Sequence, residues 1–130
     1  MQDNAITNDC TFCANKAAGR ETIIYEDDKV WVARPQDMKQ HKERIVVVSQ
    51  MHAKELTDEM KTYACQKGLE IARLAYSRFP EIEKIAIMED SKSRFPNHWH
   101  CIISDIDPAA PDYKQIIEET EYTEFYVNKK

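Results

Sequence analysis

The chain has 130 residues, the size of one domain, and its 42% hydrophobic and 32% charged residues are the balance of a globular protein that buries a core without a disulfide framework. A net charge of −5, with no basic run of five, argues against a nucleic-acid surface, and no apolar stretch approaches the ~20 residues of a membrane span. The only glycines, Gly19 and Gly68, cannot write G-x-G-x-x-G or G-x-x-x-x-G-K-[ST], which excludes the glycine-loop phosphate sites.

The first ten residues are polar and lack the apolar segment of a signal peptide, so the expected compartment is the cytoplasm, where disulfides are rare. In that setting Cys10-Thr11-Phe12-Cys13 points to a metal-binding or a redox pair. Thr22–Glu26 reads as a strand, Asp27-Asp28 as a turn and Lys29–Arg34 as a second strand ended by Pro35. Gln36–Glu43 is a polar loop in which His41 is expected to be exposed. The β-branched run Arg44–Ser49 predicts a central strand, and His52 lies between it and a long helix. Thr57 is a good N-cap, and the apolar stripe that follows lasts until Pro80. Gly68 weakens the middle of this helix by ~1 kcal/mol, and the sequence offers no reason for it.

Lys84–Met88 predicts a fourth strand, Glu89–Arg94 a charged loop and His98–Ile103 a fifth strand, broken after Asp107. Asp112 is placed to cap a short helix over Tyr113–Glu121, and Glu124–Val127 is able to add a last strand. Without repeats or linkers, residues 1–130 form one expected domain, with 106–130 as a C-terminal extension. The expected class is α+β: an antiparallel five-stranded sheet with one long helix and a short C-terminal helix.

Alternation along a strand puts His98, His100 and Ile102 on one face and Trp99, Cys101 and Ile103 on the other. Two such histidines fit an exposed edge, a metal pair, or a nucleophile beside a helper. Cys10 and Cys13 fit two thiolates of a tetrahedral zinc site, which needs two more ligands. The redox alternative expects a strand before the pair, and no strand pattern precedes Cys10. Cys65 and Cys101 lie in apolar patterns and read as inert thiols, and Trp99, Trp31 and Tyr25 as packing or interface residues.

Together these motifs resemble the histidine triad superfamily of nucleotide hydrolases and transferases. The resemblance rests on Cys10-Thr11-Phe12-Cys13, Ile24-Tyr25-Glu26-Asp27, His52 after an apolar strand, and His98-Trp99-His100-Cys101-Ile102-Ile103, in that order over roughly Cys10 to Asp105. It implies cleavage at the α-phosphate of a nucleotide through a covalent nucleotidyl-histidine formed on His100. It implies a structural zinc held by Cys10, Cys13, His52 and His98, and a homodimer that extends the sheet and packs the long helix across the axis. The substrate-binding positions it implies are Ser93, Arg94 and Ile102. Ser91 and Lys92 share the loop that in the family is rich in Gly and Asn, and Asp37 is the nearest acid to the family's ribose-binding one.

This chain departs from the pattern at Ile102, where the family has His, and Ile cannot assist a leaving group. The alternative reading is therefore a nucleotide-binding or interaction module with weakened chemistry. A second register, with Pro96 first and His98 and His100 in the middle and last places, leaves zinc one ligand short and puts Pro where the strand should pair.

Overall fold

The computed structural model describes residues 22–35, 43–51, 56–88, 98–106, 108–111 and 122–128, with Lys16, Gly19, His41, Tyr113, Lys114 and Glu118. The elements are β1 (Thr22–Glu26), β2 (Val30–Arg34), β3 (Arg44–Ser49), α1 (Asp58–Tyr76), β4 (Lys84–Met88), β5 (His100–Asp105) and β6 (Tyr122–Tyr126). They form a sheet of order β1-β2-β3-β5-β4-β6 in which every neighbouring pair is antiparallel. The α+β class is the expected one. The strand count is six, because the β-forming run Tyr122-Thr123-Glu124-Phe125-Tyr126 pairs with β4 along its whole length, from Lys84↔Tyr126 to Met88↔Tyr122. Of the expected C-terminal helix, Tyr113, Lys114 and Glu118 are helical, and the rest lies outside the described residues.

The helix starts where its cap predicts: the Thr57 hydroxyl accepts from the Met60 N–H at 3.2 Å, and Asp58 and Glu59 occupy the positive first turn. It ends at Tyr76, ahead of Pro80, and the Tyr76 carbonyl accepts from the Phe79 N–H at 2.9 Å. The Asn128 amide donates to the carbonyls of Tyr76, Phe79 and Ile82 at 2.9, 2.9 and 2.8 Å. No helix among the described residues is long and apolar enough to cross a membrane.

The main core lies between α1 and one sheet face, where Ala64, Ala72 and Tyr76 meet Val30, Val32, Ile45, Val47, Cys101 and Ile103. Gly68 acquires its reason here. A Cβ at this position would stand 2.7 Å from Val47 Cγ2 and 2.9 Å from Ile103 Cδ1, so the bare backbone lets the helix settle on β3 and β5. Trp99 and Cys101 are buried in this core, as expected. The opposite face carries two smaller apolar clusters. Trp31, Ala33 and Val48 lie on the β2–β3 side, and Ala86 and Met88, joined by Ile102, Ile106 and Tyr122, on the β4–β6 side. His100, Ile102 and Ser104 form the column between them.

Candidate functional site

The β3–β5 ladder runs from Arg44↔Ser104 to Val48↔His100, so β5 begins at His100 rather than at His98. β3 ends at Ser49 and the chain bends at Gln50 and Met51, with the Gln50 N–H donating to the Lys29 carbonyl at 2.9 Å. His98 and Trp99 instead meet the end of β3. The Ser49 N–H donates to the Trp99 carbonyl at 3.3 Å, and His98 Nε2 lies 2.7 Å from the Ser49 carbonyl oxygen. A carbonyl only accepts, so His98 Nε2 carries the proton, and the electron pair of the neutral ring sits on Nδ1.

His100 is bonded the other way round. Its Nδ1 is 2.9 Å from the carbonyl oxygen of His98, so Nδ1 is the donor and the lone pair of the neutral imidazole is on Nε2. Both rings are buried, His98 at 3% and His100 at 7% exposure. In each case the backbone carbonyl fixes the tautomer and the ring orientation. Ile102 follows on the same face, half-buried, in the cluster with Ala86, Met88, Ile106 and Tyr122. Cys10, Cys13, His52, Ser93 and Arg94 lie outside the described residues, as does Asp37. Among the described residues no group of three or more His, Cys, Asp or Glu is placed to hold a metal.

Asp27, the acid of the Ile24–Asp27 motif, is a structural hub. Its carboxylate accepts from the Tyr25 hydroxyl at 2.7 Å, from the Tyr63 hydroxyl of α1, and from the N–H groups of Lys29 and Val30 at 2.8 Å. Partial burial works against the charge, yet these donors outweigh it and hold the carboxyl well below its usual range. The motif thus locks the β1–β2 turn onto the helix.

A second polar centre is absent from the sequence reading. His41, expected to be exposed, is 6% exposed, and its Nδ1 donates to Asp105 Oδ2 at 3.0 Å. The Tyr76 hydroxyl faces two acceptors, Asp105 Oδ1 at 2.9 Å and the Glu43 carbonyl, and accepts from the Asp105 N–H at 2.8 Å. The Glu43 carboxylate is gripped by Arg34 at 3.1 Å and Arg78 at 2.8 Å. Burial pushes the Asp105 carboxyl up, but hydrogen bonds from His41 and Tyr76 overcome it and hold it below its ordinary value. Burial and the Asp105 charge push the Tyr76 phenol up, so it stays a donor. The expectation for His41 failed because burial of a loop residue is decided by a partner far along the chain. The one sequence signal was Asp105 itself, which the β5 alternation puts on the helix side.

This centre is not the place for a nucleotide. The depression beside it, of about 650 Å³, is lined by Glu81, Glu83, Asp105 and Glu124 against one lysine, Lys84. A polyanion is repelled there.

No protein-family model and no curated protein matches the sequence. Solved structures do match the fold. The chain is similar to SMU.412c from Streptococcus mutans UA159, with a TM-score of 0.68 and 19% identity, over 85% of this chain and 74% of that one. It is similar to a histidine triad protein from Clostridium difficile, with a TM-score of 0.55 and 23% identity, over 76% and 91%. It is also similar to a HIT family hydrolase from Legionella pneumophila Philadelphia 1, with a TM-score of 0.56 and 15% identity, over 80% and 98%.

Proposed function

From the premise that this chain has the fold of the histidine triad proteins, we propose that it is a nucleotide hydrolase or nucleotidyl transferase with His100 as its nucleophile. One observation carries the reading: the His100 Nδ1–H bond to the His98 carbonyl at 2.9 Å, which leaves the lone pair on Nε2. Neutral imidazole in a fixed tautomer is what attack on phosphorus needs. Nε2 attacks the α-phosphorus, the leaving group departs, and water or another acceptor resolves the nucleotidyl-histidine. Ser93 and Arg94 supply hydroxyl and positive charge to the phosphate.

A structural zinc on Cys10, Cys13, His52 and His98 belongs to the same proposal. His98 fits it: Nε2–H donates to the Ser49 carbonyl, so Nδ1 holds the electron pair, the pattern of an imidazole ligand oriented by a backbone acceptor. His52 follows Ser49 by three residues on the same chain segment. Four protein ligands leave no open position, so the metal contributes folding free energy rather than chemistry. Cys10→Ala should lower metal content and melting temperature together, and unchanged metal content would remove it from the ligand set.

The decisive experiment is a mass-spectrometric trap of zinc-loaded protein with nucleoside phosphoramidates and dinucleoside polyphosphates. An acid-labile nucleotidyl adduct on the His100 peptide, and loss of turnover in His100→Ala, are expected. A sample with neither adduct nor turnover sinks the proposal. A second reading, a binding or interaction module of the same fold, draws on Ile102 in its apolar cluster. Nucleotide-induced stabilisation without turnover selects it.

A further inference from the structure

Resting on the reading of His98 as a metal ligand, we infer that Asp27 is a positioning residue for it: a relay of hydrogen bonds through two peptide groups runs from the Asp27 carboxylate to the His98 ring and presets that imidazole for the metal.

The relay is continuous, and every donor in it points toward the carboxylate. Asp27 Oδ1 accepts from the Val30 N–H at 2.8 Å. The same peptide group presents the Lys29 carbonyl, which accepts from the Gln50 N–H at 2.9 Å. That second peptide group presents the Ser49 carbonyl, which lies 2.7 Å from His98 Nε2 and accepts its proton. The proton is thereby kept on Nε2 and the electron pair on Nδ1, as a ligand oriented by a backbone acceptor requires. The motif Ile24-Tyr25-Glu26-Asp27 so acquires a use beyond the β1–β2 turn.

The second peptide group is also held from its flanks. The Gln50 side chain donates to the Asp27 carbonyl at 2.8 Å and to Glu26 Oε2 at 2.7 Å. The Ser49 hydroxyl donates to the Met51 carbonyl at 2.7 Å, and the Ser49 N–H to the Trp99 carbonyl at 3.3 Å. Ser49 is fully buried, so the carbonyl it offers to His98 is fixed by the protein itself. His98 in turn presents its own carbonyl to His100 Nδ1 at 2.9 Å, and the hold reaches the residue read as the nucleophile.

Two effects travel along this relay, and their sizes differ. Burial opposes the Asp27 charge, but the donors around it keep the carboxyl ionised. A fixed negative charge at the end of aligned donors polarises each peptide in turn, by roughly 10–30% per bond. After two peptides that increment is small. The larger part is positional: without an acceptor for the Val30 N–H the turn relaxes, and the Ser49 carbonyl moves with it. Asn separates the two parts, because it keeps an acceptor oxygen and loses the charge, whereas Ala loses both.

The test combines zinc affinity, from competition with a chromogenic chelator, with proton NMR of the His98 ring N–H in the full chain. In the wild type that proton should give a resolved downfield signal that exchanges slowly with water. Asp27→Ala should lower zinc affinity by ~10–100-fold and speed the exchange of that proton, in a protein whose amide spectrum shows it folded. Asp27→Asn should restore the slow signal and leave a loss of no more than ~3-fold. A folded Asp27→Ala variant with only a lower melting temperature, and with affinity and exchange as in the wild type, overturns the inference, because Asp27 is then merely structural. Gln50→Pro removes the Gln50 N–H without touching Asp27, and Ser49, the last residue of β3, already has the extended backbone that a following proline demands. It should reproduce the loss, whereas Gln50→Ala keeps the N–H and should lose less. Equal affinities in these two overturn the relay even if Asp27→Ala fails to fold. A wild type that takes up no zinc overturns the ligand reading of His98, and the exchange of its ring proton in Asp27→Ala and Gln50→Pro then decides the relay.

Discussion

The two ends of β5 each carry a histidine centre, and the partner of Nδ1 makes them different devices. At the start, His100 donates to a backbone carbonyl, which is neutral and accepts only. The ring gains orientation, and its other nitrogen keeps its electron pair. At the far end, His41 donates to the carboxylate of Asp105, beside which the Tyr76 hydroxyl of α1 faces both that carboxylate and the Glu43 carbonyl. That cluster ties a loop, a helix and two strand ends together inside the protein. On the proposed reading one imidazole serves chemistry while the other ties the structure together, and the fold separates them by the length of a strand and by opposite faces of the sheet.

The separation predicts effects that do not cross over. Asp105→Ala removes a buried partner of His41 and Tyr76 at once and should cost about 3–5 kcal/mol of stability, because the polar groups left behind stay buried. In the zinc-loaded protein below its melting temperature, adduct formation on His100 should persist. Loss of the adduct in a folded Asp105→Ala variant would show that the two ends are coupled. The pH dependence sharpens the point. The folded-state Asp105 carboxyl is depressed, so its stabilisation is present above the unfolded value of ~3.9 and is lost as pH falls through the folded value. Asp105→Asn should flatten the acid limb of the stability curve below about pH 4. Asp27, also depressed, keeps part of it.

How much of this was legible follows the same division. Strands β1, β3 and β4 and the Thr57 cap follow from local pattern, because β-branched runs, turn residues and a capping hydroxyl act within a few residues of themselves. The histidine pair of the site was legible as a motif, and so was its alternation. Its orientation was not, since the acceptor for His100 is a backbone carbonyl, which has no residue identity to read. The start of β5 came out two residues late, and where its ladder with β3 ends is a tertiary matter. His41 was misread because its partner lies 64 residues away.

Gly68 is the middle-sized test, and it probes the packing both ends share. The helix lies on β3 and β5 through this residue, with Val47 and Ile103 within 3.0 Å of a virtual Cβ. On an exposed helix face Gly→Ala would stabilise by ~1 kcal/mol. Here the same change should destabilise by about 1–3 kcal/mol, because backbone and side chains have to move apart. Chemical denaturation of Gly68→Ala gives the sign, and a stabilised variant would mean that the helix rides higher on the sheet than its contacts state.

The smallest effect belongs to the rim of the distal centre. The Glu43 carboxylate, 2% exposed, is held by two arginines of unequal standing. Arg34 reaches both oxygens, with Nε at 3.1 and 3.2 Å and Nη2 at 3.1 Å, whereas Arg78 reaches Oε2 alone at 2.8 Å from a side chain 60% exposed. Water screens the exposed guanidinium and its ordering costs entropy, so Arg78→Ala should lose no more than ~1 kcal/mol. Arg34→Ala should lose more, because Glu43 Oε1 would keep only the Arg44 N–H at 3.1 Å. Thermal melts at low and high salt separate the two, since the Arg78 contribution should fade with ionic strength and the Arg34 contribution should largely persist. Equal losses would mean that the carboxylate is held by its surroundings as a whole. The centre would then be a rigid buried joint, with no rim that can be trimmed.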